Sequence, residues 1–325
     1  MLYGTISGTG KDVSRLVLGS TSLSMARLDQ GLDLLDEAFA AGCTCIDTAH
    51  IYGNGDCERV IGRWLAARPG VREKMVIATK GAHHNQERRR VTPADIASDL
   101  HESLERLQTD YVDIYLLHRD DPALPVGPIV DALNEHVAAG RIRALGASNW
   151  THQRIFQAAT YAYERSLKHF VVTSPHMSLL QIASPPWEGY VSLSGPEAAA
   201  GRKYHLEHRI PVFAWSSLCS GLLSGKYDRA RIEAMAKPEW KVKVFGGPDN
   251  IARMERATEL GGQMGLTLAQ VGIAFLLNQP IEVFPLVGCR TGKQYADLAK
   301  ACGVKLTSQQ LAWLDDGESK TNTTT

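Results

Sequence analysis

The chain has 325 residues, 44% of them hydrophobic and 22% charged, which is enough apolar material for a large core. Lys plus Arg and Asp plus Glu stand at 35 each, a balance that gives no electrostatic basis for binding nucleic acid or an anionic membrane surface. No apolar stretch approaches the ~20 residues that span a bilayer, and Met1-Leu2-Tyr3-Gly4-Thr5 lacks the basic and apolar regions of a secretory leader.

In chain order, residues 2–6 and 13–16, separated by Gly8-Thr9-Gly10, read as a hairpin that runs into a first strand at 16–19. A helix follows at 29–41, where Leu32, Leu35, Ala38 and Phe39 recur at helical spacing. The second strand is 44–47, and Asp56 reads as the N-cap of the next helix. The third strand, 75–80, precedes a helix opening at Thr92-Pro93, a Thr cap with Pro in the first turn. Strand four is 112–118, with a helix near 127–139; strand five is 142–148, with a helix from Thr151. Strand six is 170–174, strand seven 211–216, and strand eight 283–288 with a helix from Gly292. Eight strands alternating with eight helices predict one (β/α)8 TIM barrel over residues 1–325, with no linker to divide it and a polar tail at 318–325. Loops 178–196 and 218–249 are longer than ordinary βα connections and fall on the face where the strands end. The six cysteines (Cys43, Cys45, Cys57, Cys219, Cys289 and Cys302) form no CxxC pair, which fits reduced thiols and a cytoplasmic setting.

Three successive strands stop abruptly at a titratable residue: Asp47, Lys80 and His118, with Tyr52 five positions beyond Asp47. Strand C-termini in an alternating β/α chain share one face, so these groups converge despite their separation in sequence. Singly, each has an ordinary explanation: a turn cap, a solvated strand end, a packed ring, a hydrogen-bonded imidazole. Together they make a proton-transfer site. A phenol with a pKa of about 10 is a weak acid at neutral pH, and an ammonium beside it favours the phenolate. A lysine keeps its charge in a pocket when it is paired, and Asp47 is the partner at hand. Tyr52 is therefore the general acid, Lys80 tunes it, Asp47 anchors Lys80, and His118 orients the substrate oxygen or shares the proton relay. Schiff-base chemistry at Lys80 would need a free amine, against which Asp47 argues. His50, His83, His84 and His118 also lie near this face, but no HxxxH or CxxC accompanies them, and adjacent His83 and His84 cannot readily turn both rings to one ion. No metal site is expected.

The run Asp47-Thr48-Ala49-His50-Ile51-Tyr52-Gly53 resembles the signature of the aldo-keto reductase family. Ala78-Thr79-Lys80, Leu116-Leu117-His118-Arg119 and Gly146-Ala147-Ser148-Asn149-Trp150 agree with it, in order and each at a strand end. The resemblance spans nearly the whole chain. It implies a barrel enzyme that reduces aldehydes or ketones with a nicotinamide cofactor, and the tetrad Asp47, Tyr52, Lys80 and His118. Ser148 and Asn149 resemble the pair that binds the nicotinamide carboxamide, beside Asp47, and Trp215 the ring stacked on the nicotinamide. Ser216, Ser217, Leu218, Ser220 and Gly221 resemble the pyrophosphate loop, with Lys226 adding charge. Gly288, Cys289, Arg290, Gln294 and Asp297 resemble the segment around the adenosine end, where the fork of Arg290 suits a 2′-phosphate.

The chain departs from the family where relatives often carry Gln and, three residues later, Tyr. It has Ser174 and Met177, which shortens or removes a carboxamide contact. Arg290 makes NADPH the expected cofactor, while Leu298 in place of a frequent Asn and Lys293 alone beside Arg290 leave NADH as the alternative. His83, His84, Arg119, Trp150, Trp187 and Tyr190 are expected to line the substrate end. Their donors, charges and aromatic faces fit a small hydroxylated carbonyl compound such as an oxidised sugar. Arg119 would bind a carboxylate there or pair with Asp120 or Asp121. The same fold also serves as a nicotinamide-binding regulatory subunit, a redox sensor without turnover; the intact tetrad favours the enzyme.

Overall fold

The apolar runs of the sequence become the strands of a closed parallel sheet in the computed structural model, which describes residues 1–317. The tail expected at 318–325 lies outside the described residues. An antiparallel pair, β1 (Tyr3–Thr5) and β2 (Asp12–Ser14), comes first. It is followed by β3 (Val17–Gly19), α1 (Leu28–Ala40), β4 (Cys45–Asp47), α2 (Asp56–Ala66), β5 (Val76–Gly81) and α3 (Pro93–Leu107). The chain continues with β6 (Val112–Leu117), α4 (Val126–Ala138), β7 (Ile142–Ser148), α5 (His152–Glu164), β8 (Phe170–Ser174), α6 (Ala199–Glu207) and β9 (Val212–Ala214). Four helices then intervene: α7 (Arg229–Glu233), α8 (Trp240–Phe245), α9 (Pro248–Met264) and α10 (Leu268–Leu277). Strand β10 (Val283–Gly288), α11 (Gly292–Ala299) and α12 (Ser308–Asp316) complete the order. The barrel closes as β10-β3-β4-β5-β6-β7-β8-β9, every neighbouring pair parallel, with the hairpin outside it.

Two expectations need correction. The described residues hold twelve α-helices rather than eight, because the long segment after β9 folds partly into α7 and α8, the crossover to β10 is itself two helices, and α12 follows α11. Asp56 is not a cap. Gly55, with φ 86°, occupies the N-cap position of α2, while Asp56 begins the helix, accepts the Met25 N–H at 3.2 Å and pairs with Arg59 at 3.2 Å. The cap expected at Thr92 is present, its hydroxyl accepting an N–H of the first turn, and Thr151 and Thr291 do the same for α5 and α11.

Strand alternation positions the site. Cys45, Val76, Ala78, Ile114, Leu116, Val172 and Phe213 fill the barrel interior, joined by Ile6 and Val13 from the hairpin. Side chains two apart on a strand share a face. Asp47, Lys80, His118, Ser174 and Trp215 are therefore the next inward positions above this apolar plug. The outward set, including Ile77, Tyr115 and Leu117, packs against Trp64, Ile96 and Leu100 of the surrounding helices. At the opposite end, Lys11 pairs with buried Asp113 at 2.6 Å and donates to Met75 O at 2.7 Å, fastening the hairpin.

Candidate active site

Lys80 Nζ lies 2.7 Å from both carboxylate oxygens of Asp47 and also donates to Thr48 O at 2.8 Å and Tyr52 Oη at 3.3 Å. An ammonium is a donor only, so the Tyr52 oxygen accepts from it and the phenolic proton is left for the cleft. The Lys80 and Asp47 side chains are 3% and 5% exposed. Burial opposes charge on Lys80, but Asp47 and then Tyr52 outweigh it, and the ammonium's pKa is raised. Lys80 is thus a fixed cation and not a nucleophilic amine.

Tyr52 departs from the expectation of an acid made stronger by its neighbour. Burial raises its pKa by more than Lys80 lowers it, and Asp47 adds to the rise. Desolvation disfavours the phenolate, and the sequence showed the cation without the depth. The group stays protonated at neutral pH. His118 meets it edge-on, with ring centroids 5.6 Å apart. Burial first, and then the Lys80 charge, hold the imidazole pKa well below its ordinary value, so His118 is neutral. Its backbone N–H binds Gly81 O at 2.8 Å, extending the β5–β6 ladder, and Nδ1 has no partner among the described residues.

The turn that delivers Tyr52 is held from outside. Gly53, Asn54 and Gly55 all have positive φ (55°, 52° and 86°), conformations for which glycine carries little strain. Arg106 of α3 closes on it, donating to His50 O at 3.0 Å and to Glu58 Oε2 at 3.4 Å. Glu58, fully buried, accepts from Thr79 Oγ1 at 2.7 Å, and Thr79 precedes Lys80. This chain ties the tyrosine's turn to the lysine's strand. No motif marked Arg106 or Glu58 in advance.

A cleft of about 1420 Å³ opens over these residues. Three sequence-predicted groups meet along it: Ser148, Asn149, Ser174 and Trp215; then Ser216, Ser217, Leu218, Ser220 and Gly221; then Gly288, Cys289, Arg290, Gln294 and Asp297. Pockets that take a drug-sized ligand run to roughly 300–1,000 Å³, so this larger cleft has room for a dinucleotide and a small substrate together. The donors suit such a guest. Ser174 Oγ and Trp215 Nε1 are buried without partners among the described residues, and Ser148 Oγ, bonded to Ser174 O at 2.8 Å, also receives Asn149 Nδ2 at 3.1 Å. Ser216, Ser220 and Gly221 have φ of 53°, 52° and 87°, and left-handed residues in such a turn form concavities that accept phosphate oxygens. Arg290 makes no ion pair among the described residues and stands just before α11.

Of the substrate residues, His83, Arg119 and Trp187 line the cleft; His84, Trp150 and Tyr190 do not. Asn149 has φ 58°, which breaks the strand's alternation and turns Trp150 away. Trp150 is 2% exposed, packs on Phe170 at 5.2 Å and donates to Arg119 O at 3.1 Å. Lys226 is exposed and outside the cleft. Arg119 pairs with neither Asp120 nor Asp121, since Asp120 binds Arg154 at 3.1 Å and Asp121 binds Arg89 at 3.3 Å. Thr21, Ser22, Arg27, Gln30 and Glu37, from the β3–α1 connection and α1, line the far end and were missed. The polar run Ser20-Thr21-Ser22 after a strand was the available signal.

Removing one member of a buried ion pair strands the other. Lys80→Met should cost about 3–5 kcal/mol in urea unfolding, whereas Asp47→Leu/Lys80→Met should lose less than Lys80→Met alone. A double variant that loses the sum of the two single changes would show that the pair is uncoupled.

The Aldo/keto reductase family model matches residues 15–317. The uncharacterized oxidoreductase YrpG of Bacillus subtilis (strain 168) is 29% identical, over 97% of this chain and 95% of its own length. The aldo-keto reductase YhdN of the same organism is 27% identical, over 95% of this chain and 91% of its own. A probable voltage-gated potassium channel subunit beta of Oryza sativa subsp. japonica is 27% identical, over 94% and 92% respectively. With a match running from the edge of the first barrel strand to the last described residue, this chain belongs to the aldo/keto reductase family.

Proposed function

We propose that this chain reduces an aldehyde or ketone to an alcohol with NADPH as reductant and Tyr52 as proton donor. The observation that carries the reading is a protonated phenol whose oxygen lies 3.3 Å from a buried ammonium, beside a neutral imidazole and in a cleft of dinucleotide size. A bound reduced nicotinamide supplies the hydride that adds to the carbonyl carbon. Tyr52 gives its O–H proton to the carbonyl oxygen as negative charge gathers there. Lys80 stabilises the phenolate left behind, and Asp47 keeps Lys80 charged throughout. His118 donates an N–H to the same oxygen and fixes the direction from which the carbonyl approaches Tyr52.

Ser148, Asn149 and Ser174 would hold the carboxamide, with Trp215 against the ring. The loop from Ser216 to Gly221 would take the diphosphate, and Arg290 the 2′-phosphate. His83, Arg119 and Trp187 at the other end favour a polar carbonyl compound. The likeness to a probable channel subunit keeps one alternative, a nicotinamide-binding regulatory subunit. Steady oxidation of reduced cofactor by members of an aldehyde panel would exclude it.

Tyr52→Phe should lower kcat/KM for carbonyl reduction by about 10²–10⁴-fold while fluorescence titration still reports cofactor binding. Unchanged turnover would remove Tyr52 from the chemistry. A general acid works only when protonated, so activity is lost as pH rises through its pKa. Burial raises that pKa above the ordinary tyrosine value of about 10. The kcat/KM profile should therefore stay level through neutral pH and fall only in strong alkali; a break between pH 7 and 9 would assign the titration to another group. Arg290→Ala should weaken NADPH by about 10–100-fold and NADH far less. Equal loss for both would mean that Arg290 does not read the phosphate.

A further inference from the structure

Most buried or half-buried arginines of this chain have a carboxylate. Arg72 holds Asp113 at 2.8 Å, Arg90 holds Asp99 at 2.6 Å, and Arg154 holds Asp120 at 3.1 Å. Arg119, half-buried on the cleft wall directly after His118, makes no ion pair among the described residues. The nearby acids are taken: Asp47 by Lys80, Asp120 by Arg154 and Asp121 by Arg89. The guanidinium lies over the Trp187 ring at 4.5 Å, and its Nε donates to His83 Nε2 at 3.3 Å. His83 Nδ1 lies 2.7 Å from His84 O, a carbonyl that can only accept, so Nδ1 carries the proton and Nε2 is a neutral acceptor. The charge of Arg119 is therefore hydrogen-bonded but not neutralised.

Two donors at this spot lack acceptors. Arg119 Nη1 and Trp187 Nε1 are both buried without partners among the described residues. An uncompensated cation with unmet donors is costly in a folded chain, and here it is also held rigidly. Trp150 Nε1 binds Arg119 O at 3.1 Å, while Arg154 grips Asp121 O at 3.1 Å and Leu124 O at 2.6 Å just beyond. Arg119 lines the cleft, so a counter-charge can approach it from there. The His83 ring stands 4.7 Å from the His118 ring, so Arg119 lies one imidazole beyond the group that would orient the carbonyl.

We propose that Arg119 receives an anionic group of the substrate, so that the preferred carbonyl compound carries a carboxylate or phosphate a few bonds from the reacting carbon. Trp187, with its ring against the guanidinium, covers the anion and offers its N–H as a further donor. This rests on the carbonyl-reductase reading and names the substrate class within it. Arg119 would act on binding, while Tyr52 and His118 act on the oxygen.

The test uses the full chain with saturating NADPH and two matched pairs: 4-oxobutanoate against butanal, and glycolaldehyde phosphate against glycolaldehyde. In wild type, kcat/KM should favour the anionic member of one pair by about tenfold or more, and the responding pair tells carboxylate from phosphate. Arg119→Gln should collapse that ratio towards one, chiefly through KM, and Arg119→Lys should restore part of it. A general loss of structure would lower both members together and leave the ratio intact. Wild-type ratios at or below one in both pairs, or a preference that survives Arg119→Gln, would overturn the proposal. Failure to turn over any of the four compounds would count against the reductase reading instead. The anion site would then be judged by tryptophan fluorescence with succinate and with inorganic phosphate. Saturable quenching by either that is abolished in Arg119→Gln supports the site, and no saturable quenching by either overturns it.

Discussion

The ion pair of Lys80 and Asp47 puts two charges where the barrel has excluded water, and it fixes the direction of the hydrogen bond to Tyr52, while burial is the first cause of the protonation states of Tyr52 and His118. Stripping a carboxylate and an ammonium of water is recovered only when the geometry is close and the remaining donors are satisfied. Here both carboxylate oxygens lie 2.7 Å from Nζ, and the other ammonium protons go to Thr48 O and Tyr52 Oη. Since the lysine donates to the phenol, the phenol cannot donate to the lysine. Its proton has to face the cleft. The same fixed cation works with burial to keep His118 neutral, so the imidazole can offer an N–H without adding charge. One buried pair thereby makes Tyr52 Oη an acceptor from Lys80 and leaves the phenolic proton for the cleft.

Such a pair is useful only if the phenol stays beside it, and the turn carrying Tyr52 is poor at holding itself. Three successive residues with positive φ leave little regular hydrogen bonding there. Order is imported from the helix layer, where Arg106 binds the turn at His50 O and reaches Glu58, and Glu58 binds Thr79 beside the lysine. This explains why a carboxylate with no part in the chemistry is wholly buried. Removing either Arg106 or Glu58 would leave a desolvated charge and would also loosen the distance between Tyr52 and Lys80.

What could be read from the sequence divides along a physical line. The barrel was legible because each strand is an apolar run with a clear stop, and a parallel sheet covered on both faces needs such runs. Asp47, Lys80 and His118 were legible for the same reason: period-two alternation carries an inward row upwards until the apolar residues end. Tyr52 came from its place five residues beyond Asp47 and from the need for a proton donor, and the family motif agreed. Where alternation breaks, inference breaks with it. The positive φ at Asn149 sends Trp150 into the helix layer, and the chain beyond Ser220 leaves Lys226 in solvent. The helices α7 and α8 escaped notice because a short helix in a long loop takes its stability from tertiary contacts, not from its own pattern. The direction of the Tyr52 shift escaped for a related reason. A neighbouring charge can be inferred from sequence, but the depth of burial is a sum over the whole fold.

The two cations at the top of the barrel make an instructive contrast. Lys80 and Arg119 both lie close to the phenol, and each contributes to its electrostatics. Lys80 is neutralised by Asp47 and spends its donors on protein atoms, so it can stabilise a transient negative charge without attracting a resident one. Arg119 is tied at Nε to a neutral ring and stacked on an indole, so its positive charge remains available to whatever enters. Exchanging these arrangements would be self-defeating. A carboxylate paired to Arg119 would cancel the attraction at the substrate end, while an unpaired Lys80 would shed its proton in the dry pocket and leave the phenol without support. In the proposed reaction, this division would place compensated charge where a proton is moved and uncompensated charge where a ligand is chosen.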